Sequence, residues 1–507
     1  MSRMPVAIFD LGEARYPEAP PYDPPERYPE SPYASGRLDP SNHVYPAVRE
    51  SLRLLGLDAG RCGTPEWNPL GGIVRPGDHV VVKPNLVRHF HGAGRTTESL
   101  ITHGSIVRAM IDYVLIALRR GREPAGGGGP GGASGGARGE AEGRITVGDA
   151  PLQYADFASC LRLSGVGEVI REVQERSGFP LGAVDFRKER SEKRRGVIVA
   201  RIPNEGDPSG YRIVDLGARS RFHGLDERFP LFRVTQYDPA TMGRSHNASG
   251  HAYLFPGTIL DADVLINLPK LKTHGKAGIT AAMKNLVGIN GSKDWLPHHA
   301  SGSLAEGGDE YLAPSVRKRI LARLRDRIEA AGGRVTKRVV WLAAQAIRRT
   351  GRLLPFPDPY SEGSWYGNDT IWRTVHDLHR AFLFSDGEGV IREEPRRRHL
   401  ALVDGIVAGE GDGPMRPTPK PAGLLVASAS PLAADLACCR IMGFDERRVP
   451  ILNYALGEIF APPLEGIGEV EIRSNVRRWA ELFRMKRRET LAFAPPPGWI
   501  GHVELEG

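Results

Sequence analysis

An α/β architecture, a mainly parallel sheet with helices on both faces plus a helical insertion, is what this sequence predicts, and three observations carry it. Short apolar runs such as Val80-Val-Val82 and Val264-Leu-Ile266 have the length and β-branching of buried strands. Segments with apolar residues at helical spacing lie between them, so strands alternate with helices. The runs also end in polar or loop-forming residues, as strands do when their carboxyl ends face a ligand cleft.

In chain order, residues 1–75 form an N-terminal arm and lead-in. Their first 45 positions carry many Pro, Tyr and Asp residues without periodicity, which predicts an extended arm that wraps the surface and can still reach the ligand. The first part of the core spans 76–299. Pro76-Gly-Asp78 is a turn, His79–Lys83 a strand and Ile106–Leu118 an amphipathic helix. Residues 121–143 hold eleven glycines in 23 positions and read as a flexible loop, since the strand and Lys-Ser/Thr context of a nucleotide loop is missing. Arg144–Val147 resumes as a strand, Cys160–Ser177 as one helix, Arg194–Val214 as a hairpin or two short strands, and Asp263–Leu268 as the next firm strand. A helix is expected to open near Gly278 and to run past Asn285. Residues 300–398 are a basic helical insertion or lid. The second part of the core, 399–507, holds strands at His399–Val403 and Gly423–Ala427, a helix at Leu432–Met442, and a C-terminal tail.

Composition narrows the function classes. The chain of 507 residues is 40% hydrophobic and 25% charged, enough for a full core. Its net charge of +8 is concentrated: residues 317–352 hold twelve Lys and Arg against Asp326 and Glu329. That is a local segment rather than a surface-wide field, so no specific nucleic acid is expected. Two readings of the segment stay open: a helical lid with solvated arginines, or peripheral membrane contact through 335–352, with Val339–Ile347 on an acidic membrane surface. Cys62, Cys160, Cys438 and Cys439 show no C-x-x-C spacing, so no iron–sulfur cluster is expected. Absence of a basic-then-apolar leader and of any long apolar run gives a cytoplasmic expectation.

The site is read from the strand ends. Lys83-Pro-Asn85, Gly148-Asp149, Asn267 to Lys272, Asp404-Gly405 and Ser428-Ala-Ser430 are candidates for one shared cleft. Lysines are not turn formers, so Lys83, Lys270, Lys272 and Lys284, with Asn85, Asn267, Thr273 and Asn285, are assigned to a small anionic metabolite. His274 stands two residues after Lys272, on the same side of an extended segment, either gripping the same anion or serving as general base. Lys272, Asp149 and His274 are the catalytic candidates. Asp404, Glu410 and Asp412 supply oxygens for magnesium or another divalent ion, or else mark a plain acidic turn.

Four segments in order resemble one family. Val82-Lys-Pro-Asn-Leu-Val87, Val147-Gly-Asp-Ala-Pro151, Ile266-Asn-Leu-Pro-Lys-Leu-Lys-Thr-His274 with Lys284-Asn-Leu286, and Val403-Asp-Gly-Ile406 with Gly409-Glu-Gly-Asp-Gly-Pro414 and Ala433-Ala-Asp435 resemble domain of unknown function 362. Thr64-Pro-Glu-Trp-Asn-Pro-Leu-Gly71 and Gly363-Ser-Trp-Tyr-Gly-Asn-Asp-Thr-Ile-Trp-Arg373 look like a long-chain branch that accompanies bacterial polysaccharide-synthesis genes. Some members carry a ferredoxin-type cluster module, which this cysteine count cannot supply. The resemblance implies a fold and a site but no reaction. The expected function is an enzyme acting on a phosphorylated or carboxylated metabolite, in polysaccharide or sugar-nucleotide metabolism. The alternatives are a non-catalytic protein that binds such an anion, and a metal-cofactor-dependent isomerase similar to lactate racemase.

Overall fold

The computed structural model describes residues 3–120, 143–194, 197–235, 237, 239–330, 339, 341–342, 345–346, 360–460 and 462–507. The Gly-rich stretch 121–142 and most of 335–352, the expected membrane-contact segment, lie outside the described residues.

The elements that position the site are, in chain order, β1 (Met4–Asp10), α1 (Val44–Leu54), β2 (His79–Pro84), α2 (Gly104–Arg119), β3 (Arg144–Asp149), α3 (Phe157–Ser164), α4 (Val166–Ser177) and β4 (Leu181–Asp185). They continue with β5 (Val264–Leu268), β6 (Lys270–His274), β7 (Gly278–Thr280), α5 (Ala282–Asn285), α6 (Val316–Ala330), α7 (Ile371–Phe384), β8 (Arg398–Glu410), β9 (Thr418–Ser428), α8 (Pro431–Ile441) and β10 (Val470–Ser474). The main sheet runs β10-β1-β9-β8-β5-β2-β3-β4. From β8 to β4 every pairing is parallel. Strand β9 returns antiparallel to β8, β1 pairs antiparallel with β9, and β10 lies parallel to β1.

Alternation along the strands assigns the two faces. Val80, Val82, Ile266, Leu400 and Leu402 point into one core with α1, α2 and α4. Their neighbours Val81 and Leu265 point to the other side with Leu378 and Phe382 of α7, while Ala401 and Val403 meet α8. Runs such as Val80-Val-Val82 are apolar throughout because helices cover both faces.

Several expectations are corrected. The N-terminal arm begins as β1, an inner strand whose Val6, Ala7 and Ile8 are fully buried, because β9 and β10 both need a partner there. The helix expected over 160–177 is two, broken at Gly165, whose φ of 76° ends α3 in a left-handed cap. Tyr22 sits where a Cβ on Gly165 would stand. From Gly278 the chain first adds β7, then one turn of α5, then a 3-10 turn over Leu286–Ile289. Local propensity favoured a longer helix, but β7 is held by antiparallel pairing with β6. Glu189–Arg194 pairs antiparallel with Val197–Pro203, and Tyr211–Asp215 pairs instead with Gly250–Pro256. Among the described residues no helix is long and apolar enough to cross a membrane.

Candidate functional site

At the carboxyl ends of β2, β3 and β5 the sequence places amides and charges that must be satisfied without water. Lys83 Nζ donates to Asp149 Oδ1 at 2.8 Å, and Asp149 Oδ2 accepts from Leu86 N–H at 2.7 Å. A chain of amides follows. Lys272 Nζ donates to Asn85 Oδ1 (2.8 Å), Asn85 Nδ2 to Asn285 Oδ1 (3.0 Å), Asn285 Nδ2 to Asn267 Oδ1 (2.7 Å), and Asn267 Nδ2 to the Ala282 carbonyl (2.9 Å). Each side chain is oriented by the next, so the wall built by β2, β5, β6 and α5 is fixed. The single turn α5 is anchored from outside: both oxygens of Asp435, on α8, accept from Ala282 N–H and Met283 N–H at 2.6 and 2.9 Å. Burial pushes the Asp435 carboxyl up to about 7.

These elements open onto a cavity of about 440 Å³. One wall is cationic. Lys272 and His274 come from β6, Lys276 from the β6–β7 turn, Lys284 from α5, and Lys293 and His298 from the following loops. Tyr154, Ile198, Val234 and Tyr237 also line the cavity. The carboxylates that reach the cavity are already engaged: Asp149 with Lys83, Glu362 with Arg325, Asp412 with Arg416. Lys284 is 7% exposed and its amine has no hydrogen bond or ion pair among the described residues, and Lys276 Nζ is buried without a hydrogen-bond partner among them. Burial, then Lys293 and Lys276, bring the Lys284 amine down to about 7. Burial brings Lys293 to about 7 and Lys276 to about 8, and it holds Lys272 well below the ordinary lysine range.

The two histidines have opposite tautomers. His274 Nδ1 accepts from the backbone N–H groups of Lys276 and Ala277 at 3.1 and 3.3 Å, so the neutral ring carries its proton on Nε2 and is a donor. His298 Nδ1 lies 2.7 Å from the Leu296 carbonyl, which only accepts, so that nitrogen is protonated and Nε2 keeps a lone pair. Burial holds both rings well below the usual histidine range, and among the neighbouring charges Lys284 adds most to that effect on each.

Of the residues assigned from sequence, Asn85, Asp149, Lys272, His274, Lys284, Asn285 and Asp412 line the cavity. Lys83 stands behind Asp149 and neutralises it. Lys270 is not at the cavity: its Nζ is 2.7 Å from Asp404 Oδ2, with both side chains fully buried, and it donates to Tyr16 Oη, which in turn donates to Asp404 Oδ1 at 2.6 Å. A register shift separates the two lysines: two apart, they would share a face of a regular strand, but Lys270 pairs with Asp404 and Lys272 with Gly409. Asn267 serves the amide chain, and Thr273 Oγ1 donates to the Gly411 carbonyl at 2.9 Å. The expected carboxylate trio does not assemble. Asp404 is held by Lys270, Glu410 by Lys420 and the Ala494 N–H, and Asp412 by Arg416. Among the described residues no group of three His, Cys, Asp or Glu side chains is placed to hold a metal ion. The general-base assignment for His274 gives way, because its lone pair is used by the backbone. Sequence reasoning missed Lys276, Lys293 and His298. The signal for Lys276 was its position two residues beyond His274; for His298 it was a His pair after Pro297, in a loop with no recognisable strand end.

Comparison with known proteins adds a family. Residues 221–440 match the family model described as Domain of unknown function (DUF362). Over 389 residues the chain is 24% identical to the thylakoid-associated protein sll1697 of Synechocystis sp., a match covering 76% of this chain and 70% of that one. No solved structure matches. The matched segment, over which this chain is similar to the DUF362 family, holds Lys272, His274, Lys276, Lys284, Lys293 and His298, the cationic residues of the cavity.

Proposed function

We propose that the protein is an enzyme acting on a small anionic metabolite, phosphorylated or carboxylated, bound against the cationic wall. One observation carries this reading: the buried side chain of Lys284 lines a cavity whose carboxylates, among the described residues, are all paired elsewhere. A buried amine without a counter-charge costs stability, and a bound anion recovers it. The donor His274 and the acceptor His298 give the same wall one group that polarises an oxygen and one that removes a proton. Tyr154 and Tyr237 offer flat surfaces for a sugar or base attached to that anion, in keeping with a sugar-nucleotide or polysaccharide intermediate handled in the cytoplasm. Mass spectrometry of the gently purified native protein, followed by thermal melts with inorganic phosphate, pyrophosphate and citrate, tests it. A retained anionic metabolite and a melting temperature raised by at least one of these anions are expected; no retained ligand and no shift would remove the reading.

A second reading, contact with an acidic membrane surface, is favoured by α6. Val316 and Ile320, 68% and 42% exposed, lie beside the exposed Arg319, Arg323 and Arg327. The curated relative is named for thylakoid association. Co-sedimentation with phosphatidylglycerol vesicles but not phosphatidylcholine vesicles would support this reading.

A further inference from the structure

We infer that Lys284 forms an imine with its substrate, so that the metabolite is an anionic aldehyde or ketone, such as an oxo acid or a phosphorylated oxo sugar; this rests on the anion-site reading above. The geometry singles out Lys284 among the cavity lysines. Lys272 donates to Asn85, and Lys293 donates to the Val287 carbonyl at 2.8 Å. Lys276 has Glu362, Asp309 and Glu310 as the charges acting on it after burial, and they hold its proton. Among the described residues Lys284 alone of the four has an amine with neither a hydrogen bond nor a carboxylate acting on it. It stands on a one-turn helix whose first two N–H groups are fixed by Asp435, so its stem is positioned while its amine is not engaged. An amine that a desolvated site and neighbouring cations bring down to about 7 is unprotonated in a large fraction of molecules at neutral pH, and in that form is a nucleophile toward carbonyl carbon.

The surrounding groups fit the rest of the step. The Lys284 nitrogen lone pair attacks the carbonyl carbon, and the C=O π pair moves to oxygen, which the Nε2–H of His274 stabilises by a hydrogen bond. The two amine protons and that oxygen then leave as water, giving the imine. Once the imine takes a proton from solvent, it draws electrons from the adjacent C–H bond. His298 Nε2 accepts that proton, and the bonding pair becomes the enamine double bond. Return of the proton to the opposite face of the same carbon regenerates the imine with inverted configuration, and water adding across the C=N bond releases the epimerised carbonyl compound and the free Lys284 amine, without oxidant or reductant. Lys276 and Lys293 remain for the anionic group.

The test is reductive trapping. The full chain is incubated at pH 7.0 with sodium cyanoborohydride and, one at a time, pyruvate, 2-oxoglutarate or dihydroxyacetone phosphate, and adducts are located by peptide mass mapping. At least one probe is expected to label Lys284 tenfold or more faster than surface lysines, with labelling slowed by inorganic phosphate. Lys284→Arg, which keeps the charge, should still be stabilised by phosphate in a thermal melt and should lose the adduct. If phosphate stabilises the wild-type chain while Lys284 labels no faster than surface lysines with any probe, the imine is refuted and the anion site stands. If phosphate neither stabilises nor protects, the anion site falls as well.

Discussion

Replacing Lys284 by Met should stabilise the unliganded protein while weakening anion binding. Met preserves the length and most of the volume of the buried stem and removes only the amine. The folded-state amine titrates at about 7 against an ordinary value of 10.5. The sign follows from proton counting: between these values the unfolded chain binds a proton that the folded chain does not, so stability rises with pH across this window. Below pH 7 the penalty is fully present, and it vanishes above about 10.5. The full gap corresponds to roughly 4–5 kcal/mol, an upper bound that relaxation and the coupled lysines reduce, so about 1–3 kcal/mol is the expected gain at pH 6.5. Urea unfolding of both proteins at pH 6.5, 8 and 9.5 measures it, in buffers free of phosphate. The variant should lead at pH 6.5 and the lead should shrink as pH rises. A variant less stable than wild type by the same amount at all three values would mean that Lys284 is a paired structural cation, and the reasoning about the cavity would be wrong.

Gly288→Ala should disrupt the site from behind, because the new Cβ would stand 2.0 Å from Asp149 Oδ1 and 2.6 Å from Lys83 Nζ; a loss of about 2–4 kcal/mol in a chemical melt is expected, and a loss under 0.5 kcal/mol would show that the pair moves aside freely. Lys270→Ala leaves Asp404 and Tyr16 buried without their cation, so it should cost about 3–5 kcal/mol of stability, whereas Lys272→Ala, at the cavity wall, should weaken anion binding roughly tenfold or more with a smaller change in melting. Equal effects of the two on folding would contradict the separation of their roles. Asp435→Ala removes the two bonds that hold α5 and should cost about 1–2 kcal/mol, with reduced labelling of Lys284 in the trapping assay as the sign that it positions that residue.

The sequence by itself determined the strands of the parallel core and the neighbourhood of the site. Apolar runs such as Val80-Val-Val82 can only be strands buried on both faces, and a lysine or asparagine closing such a run has to stand at a sheet edge. Asn85, Asp149, Lys272, His274, Lys284 and Asn285 were legible on that ground. The tertiary structure decided what each charge does. Lys83 and Lys270 have the same strand-end signature as Lys272, yet each meets a carboxylate from another strand, Asp149 or Asp404, tens to more than a hundred positions away in the chain. A charge's role depends on which opposite charge shares its low-dielectric surroundings, and only the pairing of β2 with β3 and of β6 with β8 settles that. The same holds for the histidines. His274 reads as the base from its local context, but the backbone amides of Lys276 and Ala277 occupy its lone pair. His298, in a loop without periodicity, keeps its lone pair because the Leu296 carbonyl takes the proton on the other nitrogen. The residue type was written in the sequence; the tautomer was set by the fold, because a ring nitrogen donates or accepts according to the backbone group that the folded chain brings to it.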